Sequence, residues 1–192
     1  MGKFRTMILA ALALVGVSLA AACGGETKTA NANNPYEVDE SQIKKGVAPQ
    51  TVERFKTLAR EGFYNGTAFH RVNGSVGLIQ GGDPLSKDDD PDNDGTGDSP
   101  YPDLPPEFSD VPYERGSVGA ARTDYVNSAN CQFFVALKRI SEWDKRYAVF
   151  GKVIRGLDTA SIISTAPVRP GTESPDPKVV IKSVTLQPRA NF

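Results

Sequence analysis

One arginine lies inside an apolar stretch that reads as a strand, which is an unusual place for a charged side chain. Arg71 stands between Phe69 and Val72, and no acidic residue lies close to it in sequence to form an ion pair. The plainest interpretation is a structural arginine whose partner comes from another strand. A fixed guanidinium can also serve a ligand, because it carries five N–H donors and stays charged.

Two glutamines have the same character as this arginine. Gln80 and Gln132 each lie in an apolar stretch, where a buried amide needs a hydrogen-bond partner. If they project from strands next to the one that carries Arg71, the three side chains form a polar cluster flanked by Phe134 and Leu78. That is the general form of a ligand site, but the pattern alone does not name the ligand.

The elements that must position these residues are short. Apolar spacing predicts a helix over 49–60, with Pro49 in its first turn and Gly62 ending it. A second short helix is predicted over 157–163, after Gly156. Strands are predicted over 68–72, 76–80 (with a turn at Asn73-Gly74), 117–121, 132–137, 148–154 and 179–186. Many short strands, 18 Gly, 14 Pro and only two helices predict a mainly β fold closed into a barrel.

The first 22 residues have the features of a signal peptide. Lys3 and Arg5 precede an uncharged run over 7–22, which is shorter than the ~20 residues that span a bilayer. The run ends Leu-Ala-Ala-Ala-Cys23, which resembles a lipobox and predicts acylation of Cys23. Ordinary cleavage, leaving a free Cys23 thiol, is the alternative. We expect a flexible tether over 23–44 and a domain over 45–192, lipid-anchored to a membrane on the extra-cytoplasmic side, in the periplasm or at the cell surface.

Charge is distributed unevenly along the chain. The formal net charge of −1 argues against nucleic acid as a partner. The predicted acidic loop over 86–110 contains a D-x-D-x-D-G-x-x-D pattern that is typical of calcium-binding loops. Its candidate ligands are Asp90, Asp92, Asp94 and Asp98, although Tyr101 stands where a complete EF-hand has its bidentate Glu. A solvated surface insertion is the alternative.

Several motifs together resemble the cyclophilins. These are EGFYNGTAFHRV, IQGGDP, GSVGAART, NSANCQFFVAL and YAVFGKVIRGLD, which follow one another in the family's order over residues 48–187. The resemblance implies a closed, eight-stranded antiparallel β-barrel capped by two α-helices. It also implies cis/trans isomerisation of Xaa-Pro bonds without a required cofactor.

The resemblance assigns roles to individual residues. Arg71 takes the position of the catalytic arginine, and Gln80 that of the glutamine which orients it and binds the substrate backbone. Phe134 would floor the proline pocket. The other residues expected around the substrate are Phe69, His70, Leu78, Ala121, Gln132, Trp143 and Tyr147.

The chain departs from the family pattern at three places. The segment 73–79 is one residue longer than usual and lacks the aromatic residue that packs on the proline, with Val76 or Gly77 nearest in alignment. WDKRY replaces LDGKY, so Trp143 fills either the leucine position or that of a pocket tryptophan. The segment 34–49 lacks a clear two-strand hairpin, which leaves open a shortened barrel or one irregular strand over 36–43.

We therefore expect a monomeric prolyl isomerase that assists protein folding at the bacterial cell envelope and acts on Xaa-Pro-containing polypeptides. The alternatives are a non-catalytic module that binds proline-containing segments, a calcium-stabilised structural lipoprotein, and a hydrolase that uses Cys131 and His70. The hydrolase is disfavoured, because an apolar strand raises the pKa of a thiol.

Overall fold

The computed structural model describes residues 16–19, 37–38 and 47–188, which form ten strands and two α-helices. The helices are α1 (Pro49–Arg60) and α2 (Leu157–Ile163). The strands are β1 (Gly16–Leu19), β2 (Glu37–Val38), β3 (Ala68–Phe69), β4 (Arg71–Asn73), β5 (Leu78–Gly81), β6 (Ser117–Ala120), β7 (Phe133–Ala136), β8 (Val149–Lys152), β9 (Val179–Val180) and β10 (Leu186–Pro188). The fold is mainly β with two helices, as the sequence predicted.

The ladders divide into three sheets. The largest is antiparallel with the order β4-β5-β7-β6-β8, while β3 pairs with β9, and β1 lies between β10 and β2. In the large sheet Arg71 is opposite Gln80, and Gln80 is opposite Phe134. Because directly opposed residues share a face of a sheet, these three side chains form one row across β4, β5 and β7.

Helix α1 has the bounds that its apolar spacing predicted. Its first turn contains Pro49, and the Glu107 carboxylate accepts hydrogen bonds from the backbone N–H groups of Gln50 (3.0 Å) and Thr51 (2.8 Å). Glu107 thereby satisfies two donors that the helix cannot satisfy itself. The helix buries Phe55 and Leu58 in the main core.

Two adjacent phenylalanines of β7 point to opposite sides of the sheet, as the pleat requires. Phe133 belongs to the main core, with its ring centroid 5.5 Å from that of Phe55 and 5.6 Å from that of Tyr64. Phe134 belongs to a second cluster, which contains Tyr113. The Phe-Phe pair therefore joins the core to the face that carries Arg71 and Gln80.

The turn between β4 and β5 differs from the prediction. It spans residues 74–77, not Asn73-Gly74, and Asn73 Oδ1 accepts a hydrogen bond from the Val76 N–H at 2.7 Å. Gly77 has a φ of 81°, and a Cβ there would lie 2.6 Å from Cγ of Lys138. The turn is longer because Asn73 caps it and Gly77 can adopt this conformation.

Most predictions for the N-terminal region lie outside the described residues. These include acylation of Cys23 and the flexible tether over 23–44. Strand β1 falls inside the predicted signal peptide. Its pairing with other strands does not test whether these residues are a signal peptide. Within 36–43 the structure describes only the two residues of β2. In the part of the chain that the structure describes, no helix is long and apolar enough to cross a membrane.

Candidate active site

A groove with a volume of about 470 Å³ opens over the face that carries the row of Arg71, Gln80 and Phe134. Its walls come from the sheet, from the segment 121–147, from the acidic loop and from the segment 169–174. The lining residues are His70, Arg71, Gln80, Pro91, Asp94, Gly95, Ala121, Arg122, Phe134, Trp143, Tyr147, Arg169, Thr172, Glu173 and Ser174. Seven of the ten residues predicted to catalyse or bind substrate are among them.

The partner of Arg71 is a carboxylate that the sequence did not reveal. Arg71 Nε lies 2.5 Å from Glu173 Oε2, and Arg71 Nη1 lies 3.4 Å from Gln80 Oε1. Partial burial opposes ionisation of Glu173, but hydrogen bonds from Arg71 and Asn73 and the arginine charge outweigh it, so the pKa of Glu173 falls below its usual value. The Arg71 side chain is still 44% exposed, which leaves room for a ligand.

One hydrogen bond joins the two glutamines. Gln80 Nε2 donates to Gln132 Oε1 at 3.0 Å, and Gln132 Nε2 donates to the carbonyl oxygens of Gly95 and Gly97, each at 3.0 Å. Gln132 does not line the groove. It instead connects Gln80 to the acidic loop and fixes the orientation of the Gln80 amide.

Aromatic rings form the apolar wall of the groove. The Phe134 centroid lies 4.6 Å from that of Trp143 and 5.7 Å from that of Tyr147, both nearly perpendicular to it, and Tyr113 stacks on Phe134 at 5.6 Å. Trp143 lies in the groove wall. None of residues 73–79 lines the groove, so Trp143 provides aromatic surface that this segment lacks.

Besides Gln132, two residues predicted to contact substrate do not line the groove. Phe69 is 4% exposed in the main core, where its ring lies 6.3 Å from that of Phe133. Leu78 is on the same face of β5 as Gln80, but it is fully buried opposite Ala136. Phe69 faces the core because side chains alternate between the two faces of β3, and Leu78 is buried because its part of β5 is covered. Neither residue is therefore placed as predicted.

His70 lies at the buried edge of the groove, beside Arg71. It is 7% exposed, and neither ring nitrogen has a hydrogen-bond partner among the residues that the structure describes. Burial is the main cause that lowers the pKa of His70, and the Arg71 charge adds to it, whereas Asp83 and Asp94 oppose it. His70 is therefore neutral at pH 7 and lacks the contact that a proton shuttle needs.

The sequence also did not identify Arg122 as a groove residue. Its guanidinium lies 4.6 Å from the Tyr147 ring centroid and donates to the Arg146 carbonyl oxygen. The sequence signal for Arg122 was its position next to Ala121, which was predicted to contact substrate. For Glu173 there was only an indirect signal, which was that Arg71 had no acidic partner close to it in sequence.

The acidic loop makes ion pairs with basic side chains. Asp92 lies 2.9 Å from Arg169 Nη1, and Asp94 lies 3.6 Å from Lys178 Nζ. Asp90 accepts a hydrogen bond from the backbone N–H of Asp92. Partial burial raises the pKa of Asp98. Among the described residues, no group of three or more acidic, His or Cys side chains could hold a metal ion. The calcium hypothesis gains no support from this geometry.

Cys131 cannot act as the nucleophile of a hydrolase. Its side chain is buried, and its Sγ lies 3.7 Å from the Gly97 carbonyl oxygen. Burial, followed by the charges of Asp98 and Asp83, raises the pKa of the thiol to about 12. The thiolate that such a reaction needs is absent at neutral pH.

Comparison with known proteins identifies relatives along most of the chain. The family model described as cyclophilin type peptidyl-prolyl cis-trans isomerase/CLD matches residues 40–186. A probable peptidyl-prolyl cis-trans isomerase of Brucella abortus is 37% identical over 94% of this chain and 96% of its own length. A peptidyl-prolyl cis-trans isomerase of Arabidopsis thaliana is 34% identical over 88% of this chain and 76% of its own.

Solved structures resemble the fold. A cyclophilin type peptidyl-prolyl cis-trans isomerase of Cryptosporidium parvum, crystallised in the presence of the dipeptide Ala-Pro, has a TM-score of 0.62 at 26% identity. The match covers 70% of this chain and 83% of that one. A cyclophilin of Hirschia baltica, at 22% identity and a TM-score of 0.59, shows likeness of fold alone.

Proposed function

Since this chain belongs to the family of cyclophilin-type peptidyl-prolyl cis-trans isomerases, we propose that it isomerises Xaa-Pro bonds in the groove around Arg71. The observation that carries this assignment is the row of Arg71, Gln80 and Phe134 across three neighbouring strands. It combines a fixed hydrogen-bond donor with an apolar surface, and an Xaa-Pro dipeptide requires both. The crystal of the Cryptosporidium relative with Ala-Pro supports the same substrate class.

The chemistry needs one well-placed donor. Amide resonance imposes a barrier of about 18–20 kcal/mol, which makes uncatalysed Xaa-Pro rotation a matter of tens to hundreds of seconds. Twisting the bond breaks conjugation and returns a lone pair to the prolyl nitrogen. The Arg71 guanidinium can donate to that nitrogen only in the twisted state, so it stabilises the transition state more than the substrate.

The other groove residues hold the substrate while the bond turns. The aromatic wall of Phe134, Trp143 and Tyr147 receives the proline ring, and Gln80 holds the flanking backbone. The reaction of this family requires no cofactor, because no electrons or groups are transferred.

We also propose the cellular setting and the closed form of the fold. The apolar run before Cys23 supports a lipid anchor on the extra-cytoplasmic side of a bacterial membrane, where a monomer would assist folding of Xaa-Pro-containing polypeptides. The family resemblance supports an eight-stranded barrel, and the main core draws residues from α1, β3, β5, β7 and β9. Labelling with radioactive palmitate, lost in Cys23→Ser, tests the anchor.

The decisive experiment measures the isomerisation rate of an Xaa-Pro peptide by exchange NMR. Arg71→Ala should reduce kcat/KM about a hundredfold, as is usual when a transition-state donor is removed. Arg115→Ala is the matched control, because Arg115 is also about half exposed (47%) and ion-paired, but with Asp158. A wild-type rate equal to that of Arg71→Ala would favour the non-catalytic binding module instead.

A further inference from the structure

Glu173 is held in place by the backbone of its own loop. Two hydrogen bonds close the loop, from Arg169 N–H to the Ser174 carbonyl oxygen (3.0 Å) and from Asp176 N–H to that of Pro167 (2.9 Å). A third bond, from Val72 N–H to the Glu173 carbonyl oxygen (2.8 Å), ties the loop to β4. The backbone of Glu173, from which the carboxylate extends, is therefore held in place beside Arg71.

The side chain of Glu173 lies across β4. One carboxylate oxygen accepts from Arg71 Nε, and the other accepts from Asn73 Nδ2. Arg71 and Asn73 are two residues apart on one strand, so they share a face and both turn toward the same carboxylate. Asn73 thus fixes the carboxylate that in turn binds the guanidinium.

On these contacts we propose that Glu173 is a positioning residue for catalysis, which holds Arg71 by its Nε edge and directs its Nη edge at the substrate. This inference rests on the proposed role of Arg71 in the groove. Glu173 Oε2 is bonded to Nε and Gln80 Oε1 to Nη1, so the two acceptors fix the plane of the guanidinium. Nη2 takes part in neither of these two hydrogen bonds, and Arg71 lines the groove.

Two effects of the Glu173 carboxylate oppose each other. Its charge partly neutralises Arg71, which weakens donation to the prolyl nitrogen, while its hydrogen bonds restrict a side chain that otherwise samples many rotamers. The neutralising effect is small, because the two side chains are 44% and 37% exposed and water screens the pair. Orientation decides the outcome, since misplacement of a catalytic group by about 1 Å can cost a hundredfold in rate.

The test compares kcat and KM for an Xaa-Pro peptide in the full chain. Glu173→Ala should lower kcat about tenfold and change KM less than about twofold, because the proposed role of the carboxylate is to orient Arg71 through its hydrogen bond to Nε. Glu173→Gln keeps an acceptor for Nε and should recover part of the loss. Asp158→Asn, which removes a carboxylate from the Arg115 ion pair, is the matched control and should keep the wild-type rate.

A double-mutant cycle separates positioning from a general structural role. In an Arg71→Ala background, Glu173→Ala should cause no further loss of rate, because there is no guanidinium left to orient. The same loss in both backgrounds would overturn the proposal. A Glu173→Ala variant as fast as the wild type would also overturn the proposal. A faster variant would overturn it as well, because it would show that the Glu173 carboxylate lowers the activity of Arg71. A wild-type protein no faster than the Arg71→Ala variant would instead contradict the proposed function itself.

Discussion

The indole of Trp143 meets the ring of Phe134 edge to face, with 4.6 Å between the ring centroids. Trp143 is held there by its neighbour Asp144, whose Oδ1 accepts from the Tyr113 N–H at 2.8 Å and from Arg139 Nη1 at 2.9 Å. Tyr113 in turn stacks on Phe134, and its ring centroid lies 5.9 Å from that of Trp143. The aromatic wall is therefore one connected unit, fixed relative to the strand that carries Phe134.

Trp143 should report directly on substrate binding, because it is the single tryptophan of the chain and lines the groove. Titration with an Xaa-Pro peptide should shift its fluorescence emission as the indole loses contact with water. Phe134→Ala should weaken this binding about tenfold, the usual cost of removing an aromatic contact. An emission spectrum unchanged at peptide concentrations that saturate turnover would contradict the assignment of the groove.

The helices and the central row of the site were predictable from the sequence. Apolar spacing defined 49–60 and 157–163 because amphipathic periodicity is a local property. The row of Arg71, Gln80 and Phe134 followed from the motifs that resemble the family. The outcome for Gln80 also follows from elementary chemistry, because a partly buried amide needs a hydrogen-bond partner, and Gln132 is that partner.

The remaining features depend on contacts between distant segments. Glu173 lies 102 residues after Arg71, and only the path of the loop before β9 brings it to β4. The burial of Leu78 depends on what covers β5, and Phe69 faces the core because β3 is a two-residue strand set off from β4 at His70. Aspartate spacing suggested calcium ligands, but Arg169 and Lys178, which arrive from the C-terminal part of the chain, pair with Asp92 and Asp94.

Gln132→Ala should slow catalysis although Gln132 does not line the groove. The substitution removes the acceptor that orients Gln80 and the donor that binds the carbonyl groups of Gly95 and Gly97. We expect kcat/KM to fall about three- to tenfold, the effect of one or two lost neutral hydrogen bonds. Amide exchange over 95–97 should become faster, which mass spectrometry can follow. Gln50→Ala, at an exposed position of α1, is the control. Unchanged rate and exchange would show that Gln80 needs no such support.

Lys178→Met should destabilise the fold by about 1–3 kcal/mol, the cost of leaving a buried group without its partner. Lys178 Nζ donates to the Asp88 carbonyl oxygen at 2.6 Å and lies 3.6 Å from Asp94, whose side chain is only 3% exposed. Burial already raises the pKa of Asp94, and Lys178 opposes that rise.

Chemical denaturation of single and double variants tests this prediction. In an Asp94→Asn background, Lys178→Met should cost clearly less, because no carboxylate is left unpaired. Lys152→Met, at an exposed position of β8, is the control. Equal losses in the two backgrounds would show that the ion pair contributes nothing and that the carbonyl contacts of Lys178 account for the effect.

The stability of the protein should decrease as pH falls below about 6.5, because of His70, whose pKa in the fold is lower than that value. In this range the unfolded chain binds a proton that the folded chain does not, so protonation favours unfolding. The free energy of unfolding falls by at most about 1.4 kcal/mol per pH unit, until the pH reaches the pKa of the folded state. The raised pKa of Asp94 acts in the opposite direction, at pH values above its reference value of 3.8.

His70→Gln should remove this slope between pH 7 and pH 5.5, because an amide does not titrate there. Urea denaturation at several pH values measures the free energy of unfolding for both proteins. Since His70 is the single histidine of the chain, its ring proton resonances report its pKa without ambiguity. The two readouts must agree, because burial beside Arg71 is the common cause of both. A resonance that titrates at or above pH 6.5, or equal losses of stability in the two proteins, would show that His70 accepts a proton within the fold.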